Sequence, residues 1–423
     1  LQQQSGMTLP STLIFDYPTA RQLGAFFEAS AKSKEEKAAV KQAAAAPLLP
    51  KKTESVVVRL SGMSARLPMN LTALPAAARL SRIGGNAISE VPLARWDAVS
   101  IHHPDSAVAR RIRHGGFICD ADYFDNGFFS CSPAETKAMD PQQRLLLEGG
   151  YEALHGAALD KTALYNSVIG VYVGISTNDW PEVCRGTSLA RSVYSATGSS
   201  HSIASGRISF ILGLQGPCAS YDTACSSALV ANHAGLRALQ LNECVSALVT
   251  GVMMMLVPMV AISFGSAGMT SPNGRCHTFD KRADGYARSE ACCSVALRTT
   301  DIRGSLSQPV LGSCVRQDGK SASLTAPSGQ AQLGLLESAL ADAAVLSDEY
   351  AVVECHGTGT ALGDPIEVRS LAGALLGFCD QWSPRALVSI KANCGHAEPA
   401  AGATGLLRLV MGLADFQAPP NAQ

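Results

Sequence analysis

Three residues in this sequence combine the right types with the right settings for covalent chemistry. Cys225 lies within Ala219–Ala234, ASYDTACSSALVANHA. The run Pro217 to Tyr221 reads as the end of a buried strand, and Leu229 onward reads as a helix with apolar Leu229, Val230, Ala234 and Leu236. A thiol on such a turn meets the positive end of the helix and its unpaired N–H groups. That setting lowers its pKa from about 8.5 toward neutrality and raises the attacking thiolate fraction. The neighbours Thr223, Ala224, Ser226, Ser227 and Ala228 are small. They leave room for a substrate carbonyl, whose oxyanion the backbone N–H groups could hold. A cysteine standing alone is more often an inert core residue, so the reading depends on its companions. His356 follows an expected strand in VVECHGTGTALGDPIE, and His396 stands five residues after Lys391 in ALVSIKANCGHAEPAAG. Each histidine sits on a glycine-flanked loop at a strand end. A single buried histidine is usually structural, but two imidazoles with a helix-tip thiol make a nucleophile with acid–base partners.

The elements that must position these groups follow an α/β pattern. Val168–Gly174 reads as a strand with a glycine at its exit, and Pro141 opens the amphipathic helix PQQRLLLEGGYEAL. Ser132 and Pro133 read as an N-cap and first-turn pair. Strands are further expected at Gln308–Val315 and Ala351–Cys355, with the helix GQAQLGLLESALADAAV between them. This alternation argues for a layered α/β architecture. The charge-free stretch Cys244 to Gly274 is long enough to span a membrane, but Gly251, Pro258, Gly265 and Gly268 interrupt it and SALVTGV has the look of a buried strand. It is read as core, with Met253–Met255 as packing.

Composition sets outer limits. The chain has 423 residues, 47% of them hydrophobic and 16% charged, which suits a large buried core. A net charge of −1 gives no electrostatic footprint for nucleic acid or anionic lipid. The 13 cysteines are odd in number and never spaced C-x-x-C, which reads as reduced thiols in an intracellular, cytoplasmic protein with no structural zinc. His102 and His103 beside Asp105 are expected on a loop, not at a metal, because adjacent side chains on extended backbone point apart. Gly357, Gly359 and Gly363 do not have the G-x-G-x-x-G spacing of a dinucleotide loop.

With the residues in view, D-T-A-C-S-S at 222–227, E-x-H-G-T-G-T at 354–360, G-D-P-I-E at 363–367 and K-x-N-x-G-H at 391–396 resemble the catalytic blocks of a β-ketoacyl synthase domain, in the style of modular type I polyketide synthases. The stretches FF-x-x-SP-x-E-x-x-x-MDPQQRLLLE and GRC-x-TFD-x-x-ADGY-x-R-x-E match as well. The resemblance implies a thiolase-like layered αβαβα fold, with residues 53–300 as an N-terminal half and 301–423 as a C-terminal half. In the family further strands and a G-F-G-G-T-N loop follow, so the second half is expected to be cut short and the fragment inactive alone. Ahead of it, Leu9, Pro10, Thr12, Leu13, Phe15, Asp16, Tyr17, Pro18 and Thr19 resemble the C-terminal part of an acyl carrier protein domain over residues 1–30, and Ala31–Lys52 reads as an Ala/Lys/Pro linker.

The implied chemistry is a decarboxylative Claisen condensation. Cys225 takes an acyl chain from a carrier protein, and His356 and His396 act through Nε2–H donors on the decarboxylation of a malonyl-type thioester. Lys391 and Glu367 resemble a buried ion pair beneath the histidines, Asp364 a support for the His356 loop, and His233 is read as packing. The resemblance also implies a homodimer. No cofactor is expected on the domain itself: phosphopantetheine belongs to the partner carrier, whose attachment serine would precede Leu1. The other readings are a transacylating or docking domain that does not condense, a fatty-acid synthase-type condensing enzyme, a thiolase and a Cys-His hydrolase.

Overall fold

The computed structural model describes residues 13–17, 19–31, 56–300, 306–346, 349–376 and 385–422. The linker expected at 31–52 and the first part of the carrier-like segment lie outside the described residues, apart from Ala31. Contacts gather the chain into two compact units. The larger comprises Val56–Leu311, Ala351–Asp364 and Pro384–Gln423, and the smaller comprises Leu1–Ser55, Gly312–Tyr350 and Pro365–Ser383.

The larger unit is built on a mixed sheet of six strands: β1 Val58–Arg66, β2 Ile169–Gly174, β3 Cys218–Tyr221, β4 Ser246–Met253, β5 Ala291–Arg298 and β6 Gln308–Val310. Their order is β3-β2-β4-β5-β1-β6. β2 runs parallel to β3 and β4, and the remaining pairs are antiparallel. Alternate residues of β4 feed opposite cores: Ala247, Val249 and Met253 enter one, Leu248 and Val252 the other. Burial on both faces is why this strand reads as one continuous apolar run instead of an alternating one. The methionine run is core, with Met253, Met254 and Met255 at most 2% exposed. Among the described residues, no helix is long and apolar enough to cross a membrane.

Helices α1 (Pro141–Gly156) and α2 (His201–Leu212) cover one face of the sheet, and α3 (Ser227–Gln240) and α4 (Ala401–Asp415) the other. α4 also packs on β7 (Val352–Glu354), which pairs in parallel with β8 (Ala386–Val388). The unit is thus layered helix, sheet, helix, sheet. The Ser132 cap acts as read, its Oγ accepting from Glu135 N at 3.2 Å; Asp140 also caps α1, accepting from Gln142 N at 2.8 Å.

Two local expectations need correction. β3 is an edge strand and only partly covered, not a buried one, because only β2 pairs with it. On α3, Leu229 is 49% exposed, and Val230 and Ala234 are only half-buried. The face turned to the sheet carries Ala228, Ala231, Gly235, Leu236 and Leu239. Small residues face inward because a Cβ at Gly235 would already stand 3.0 Å from Val249 Cγ2. Close approach of helix and sheet at Gly235, together with Leu236 and Leu239, selects the buried face.

In the smaller unit, Ser328 Oγ caps the helix Gly329–Ala343 by accepting from Ala331 N at 3.3 Å. Near the start the unit carries two short helices, Leu13–Asp16 and Ala20–Ala31. Tyr17 packs its ring 4.8 Å from that of Phe26 and accepts from Gln330 Nε2 at 3.2 Å.

Candidate active site

Cys225 sits on the turn between β3 and α3. Ala224 before it has φ 52°, a left-handed conformation that is costly for a residue with a Cβ. The turn is held by its own hydroxyls: Thr223 N donates to Ser227 Oγ at 2.9 Å, and Ser226 Oγ donates to Thr223 O at 2.9 Å. Beneath it, Gly174 at the exit of β2 lets the first turn of α3 lie on the strand. A Cβ there would stand 2.5 Å from Ala228 N and 2.8 Å from Ala228 Cα. Gly251 on β4 does the same for two elements at once, since its Cβ would meet Ala228 Cβ at 2.8 Å and Ala400 Cα at 3.0 Å.

His356 follows β7 on a loop pinned by backbone bonds. Cys355 N donates to Val388 O at 2.7 Å, and Thr278 Oγ1 donates to Gly357 O at 2.6 Å. Gly357 and Gly359 both have positive φ, and a Cβ at Gly359 would stand 2.6 Å from His277 N. Asp364 is bonded to this loop, accepting from Phe279 N (2.9 Å), Gly359 N (3.1 Å) and Thr360 N (3.3 Å).

His396 comes from a third direction. The short helix Lys391–Cys394 ends at Gly395 with φ 82°, and the chain then runs beside residues 287–289. His396 N donates to Ala287 O at 2.7 Å and Ser289 N donates to His396 O at 2.9 Å.

These three segments converge. One ligating atom from each of Cys225, His356 and His396 lies within 4.8 Å of the other two. The imidazole centroids are 5.4 Å apart with planes at 88°, and the Tyr286 ring stands edge-on to His396 at 5.1 Å. A thiophilic divalent ion would use the same three atoms, although tetrahedral zinc bonds would draw them to about 3.3–3.7 Å apart.

The electrostatics correct one expectation. The Cys225 thiol is raised, not lowered: burial dominates, Lys391 and the residue's own N–H oppose it, and Glu398 adds to the rise. The turn supplies a dipole, but the enclosing walls remove more solvation from the thiolate than the dipole returns. Both imidazoles are held neutral. His396 is pushed well below the ordinary range by burial, then by His356, Lys391 and Arg288. His356 is also lowered, by burial and then Lys391. His356 is exposed while His396 is buried, so His396 is the more firmly neutral of the two. The Nδ1 atom of His396 is buried with no hydrogen-bond partner among the described residues.

Lys391 is buried, 4% exposed, and its charge reaches Cys225, both histidines and Asp364. Glu367 falls in the smaller unit. Half-buried His233 lies on α3 beyond the nucleophile turn. His102 and His103 are on a loop, where His103 Nδ1 accepts from Asp105 N at 3.1 Å.

Two residues near the site had no role in the sequence reading. Arg288 and Glu398 form a buried ion pair at 2.5 Å beside His396. Part of their signal was present: Glu398 is a charged residue among small ones in HAEPAAG, and Arg288 stands two residues before Glu290 in GYARSE.

Comparison with known proteins gives the same picture. The family model described as Beta-ketoacyl synthase, N-terminal domain, matches residues 54–301, and that of the Beta-ketoacyl synthase, C-terminal domain, matches 309–423. The chain is 39% identical over 98% of its length to the pikromycin polyketide synthase component PikAII of Streptomyces venezuelae, covering 11% of that protein. It is 37% identical, again over 98% of its length, to the erythronolide synthase EryA2 of Saccharopolyspora erythraea, covering 12% of it. The chain therefore spans a small part of these curated relatives. Among solved structures, the ketosynthase from module 6 of the bacillaene synthase of Bacillus subtilis matches with TM-score 0.77 and 32% identity, over 86% of this chain and 62% of that one. The oxazolomycin ketosynthase domain of Streptomyces albus matches with TM-score 0.79 and 30% identity, over 86% and 64%. Matched along both halves and sharing the thiolase-like fold of these ketosynthases, a chain that also brings a helix-tip thiol and two neutral imidazoles to one point belongs to the β-ketoacyl synthase family.

Proposed function

We propose that this chain catalyses decarboxylative condensation between an acyl group held on Cys225 and a malonyl-type thioester carried by an acyl carrier protein. The observation that carries this reading is the convergence of Cys225, His356 and His396 within 4.8 Å. The Cys225 sulfur attacks the carbonyl of the incoming thioester, and the phosphopantetheine thiol leaves. A neutral imidazole takes the thiol proton as the new bond forms and returns it to the departing sulfur. The raised thiol makes this partner necessary, since little thiolate stands ready beforehand.

The malonyl-type unit then loses carbon dioxide, and the electrons of that bond become an enolate. His356 and His396, held neutral, donate hydrogen bonds to the enolate oxygen. The enolate carbon attacks the acyl-Cys225 carbonyl, Cys225 leaves as thiolate and is reprotonated, and a 3-oxoacyl thioester departs on the carrier. Lys391, buried beside all three groups, supports the transient thiolate. Asp364, as a support for the His356 loop, completes the proposed set.

The carrier partner and its phosphopantetheine arm follow from this chemistry, because two bulky substrates must use one thiol in turn. The two helices Leu13–Asp16 and Ala20–Ala31 are read as the end of such a carrier domain. The partly exposed edge of β3 is where a second copy would add for a homodimer. A cytoplasmic location fits the free thiols of the described cysteines.

The test uses the full-length protein with acyl and malonyl carrier thioesters. The expected product is a 3-oxoacyl chain two carbons longer, absent in Cys225→Ala and in His356→Ala. Acyl loading of Cys225 with no new carbon–carbon bond would replace this reading with a transacylating domain.

A further inference from the structure

Beside the three reacting groups lies an ion pair that the proposed reaction does not use. Arg288 and Glu398 are 4% and 8% exposed. The guanidinium donates through Nε to Glu398 Oε1 at 2.5 Å and through a terminal nitrogen to Oε2 at 3.1 Å, a two-bond fork. Its Cζ lies 5.3 Å from the centroid of the Phe264 ring, within cation–π range. Each partner sits next to His396 in the chain or across a bridge. Arg288 is bridged to His396 by the backbone bonds to residues 287 and 289, and Glu398 is two residues beyond it. Glu398 has φ 42°, a conformation that a side chain with a Cβ adopts only when its surroundings hold it. The fork is the restraint available: it closes a ring of covalent and hydrogen bonds around His396.

A buried ion pair gives little stability over an apolar pair of the same shape, but breaking one side strands a charge. Here the stranded charge would matter to the chemistry. The charged and titratable groups bearing on Cys225 are Lys391, Glu398, Tyr286 and the two imidazoles. Lys391 favours the thiolate and Glu398 opposes it.

Resting on the condensing reading above, we infer that Arg288 and Glu398 are positioning residues, a buried clamp that holds His396 against Cys225 and neutralises the carboxylate two residues beyond that histidine. Neither is one of the three converging groups. A clamp of this kind makes opposite predictions for its two halves, which a general loss of packing does not.

The readout is the rate of Cys225 alkylation by iodoacetamide as a function of pH, followed by mass spectrometry of the Cys225 peptide, with Cys225→Ser as the blank. It reports on the thiol whether or not condensation occurs, so it can fail independently of the proposed function. Arg288→Met leaves Glu398 uncompensated and should slow alkylation about tenfold near neutral pH, a shift of about one pH unit. Glu398→Gln keeps the shape and one acceptor for Arg288, and should speed alkylation severalfold. The double variant should return the profile to within about threefold of wild type. Condensation should fall at least about tenfold in Arg288→Met and recover in part in the double variant. If Arg288→Met does not fold, Arg288→Lys retains the charge without the fork, and should lower condensation while leaving the alkylation profile in place. Unchanged profiles in the single variants, shifts in the same direction, or a double variant no nearer wild type than Arg288→Met would each overturn the inference.

Discussion

Replacing Gly174 by alanine tests how the strand sets the nucleophile. The added methyl would meet backbone alone: Ala228 N at 2.5 Å, Ser227 C at 2.7 Å and Ala228 Cα at 2.8 Å. No side chain can rotate away to relieve this. Restoring ordinary contact at about 3.5 Å requires the first turn of α3 to retreat by about 0.7–1.0 Å. Cys225 stands two residues before Ser227, so the retreat moves the thiol relative to His356 and His396. Overpacking of this kind costs about 1–3 kcal/mol, and a displacement of about 1 Å at reacting atoms can lower the rate about 100-fold. The assay is urea unfolding together with condensation rate on carrier substrates. Gly206→Ala on α2 is the control: nothing lies within 4 Å of its Cβ, and helix propensity predicts a gain of about 0.5–1 kcal/mol. Wild-type stability and rate in Gly174→Ala would refute the claim that close strand–helix contact places Cys225.

Further outcomes follow from the same geometry. Asp364→Ala should strand three backbone donors, at Phe279, Gly359 and Thr360, costing about 2–5 kcal/mol in urea unfolding. It should impair condensation more than acyl loading, with Asp364→Asn milder on both counts. Cys276, Cys292 and Cys394 are each pushed up by burial to about 12. Their folded pKa values lie above the unfolded ones, so the stability they contribute is complete below about pH 8.5. It is lost as pH rises toward 12, at about 1.4 kcal/mol per unit for each thiol that titrates in the unfolded chain. Urea midpoints across the alkaline range should fall steeply, and a flat profile would contradict the burial. For the depressed histidines the sign reverses: their contribution is present above about pH 6.5 and declines below it as the unfolded imidazoles charge. Condensation measured down to about pH 6 should show no loss attributable to imidazole protonation in the folded protein.

Much of this was legible in the sequence because the site is carried by local motifs. The D-T-A-C-S-S turn, the glycine loop after His356 and the K-x-N-x-G-H segment each fix their own backbone, so residue order announces the geometry. Asp364 was legible for the same reason, since two of its three donors are four and five residues away. What escaped depends on residues distant in the chain. The rise of the Cys225 thiol comes from walls contributed by several segments, and a helix-tip argument sees only the dipole. The inward face of α3 is chosen by Gly235 meeting Val249 and Tyr172, contacts that helical periodicity cannot anticipate. Arg288 and Glu398 are 110 residues apart, and only the fold makes them a pair.

The central claim is that one thiol and two neutral imidazoles act on a shared pair of substrates. The direct measurement is a single turnover of the full-length protein preloaded with acyl on Cys225, mixed with malonyl carrier labelled in its free carboxyl group. Labelled carbon dioxide and 3-oxoacyl product should appear together at one rate, and His396→Ala should abolish both while leaving the preloaded acyl-Cys225 intact. Product formed at the wild-type rate in His396→Ala, or an acyl group found on a residue other than Cys225, would contradict it.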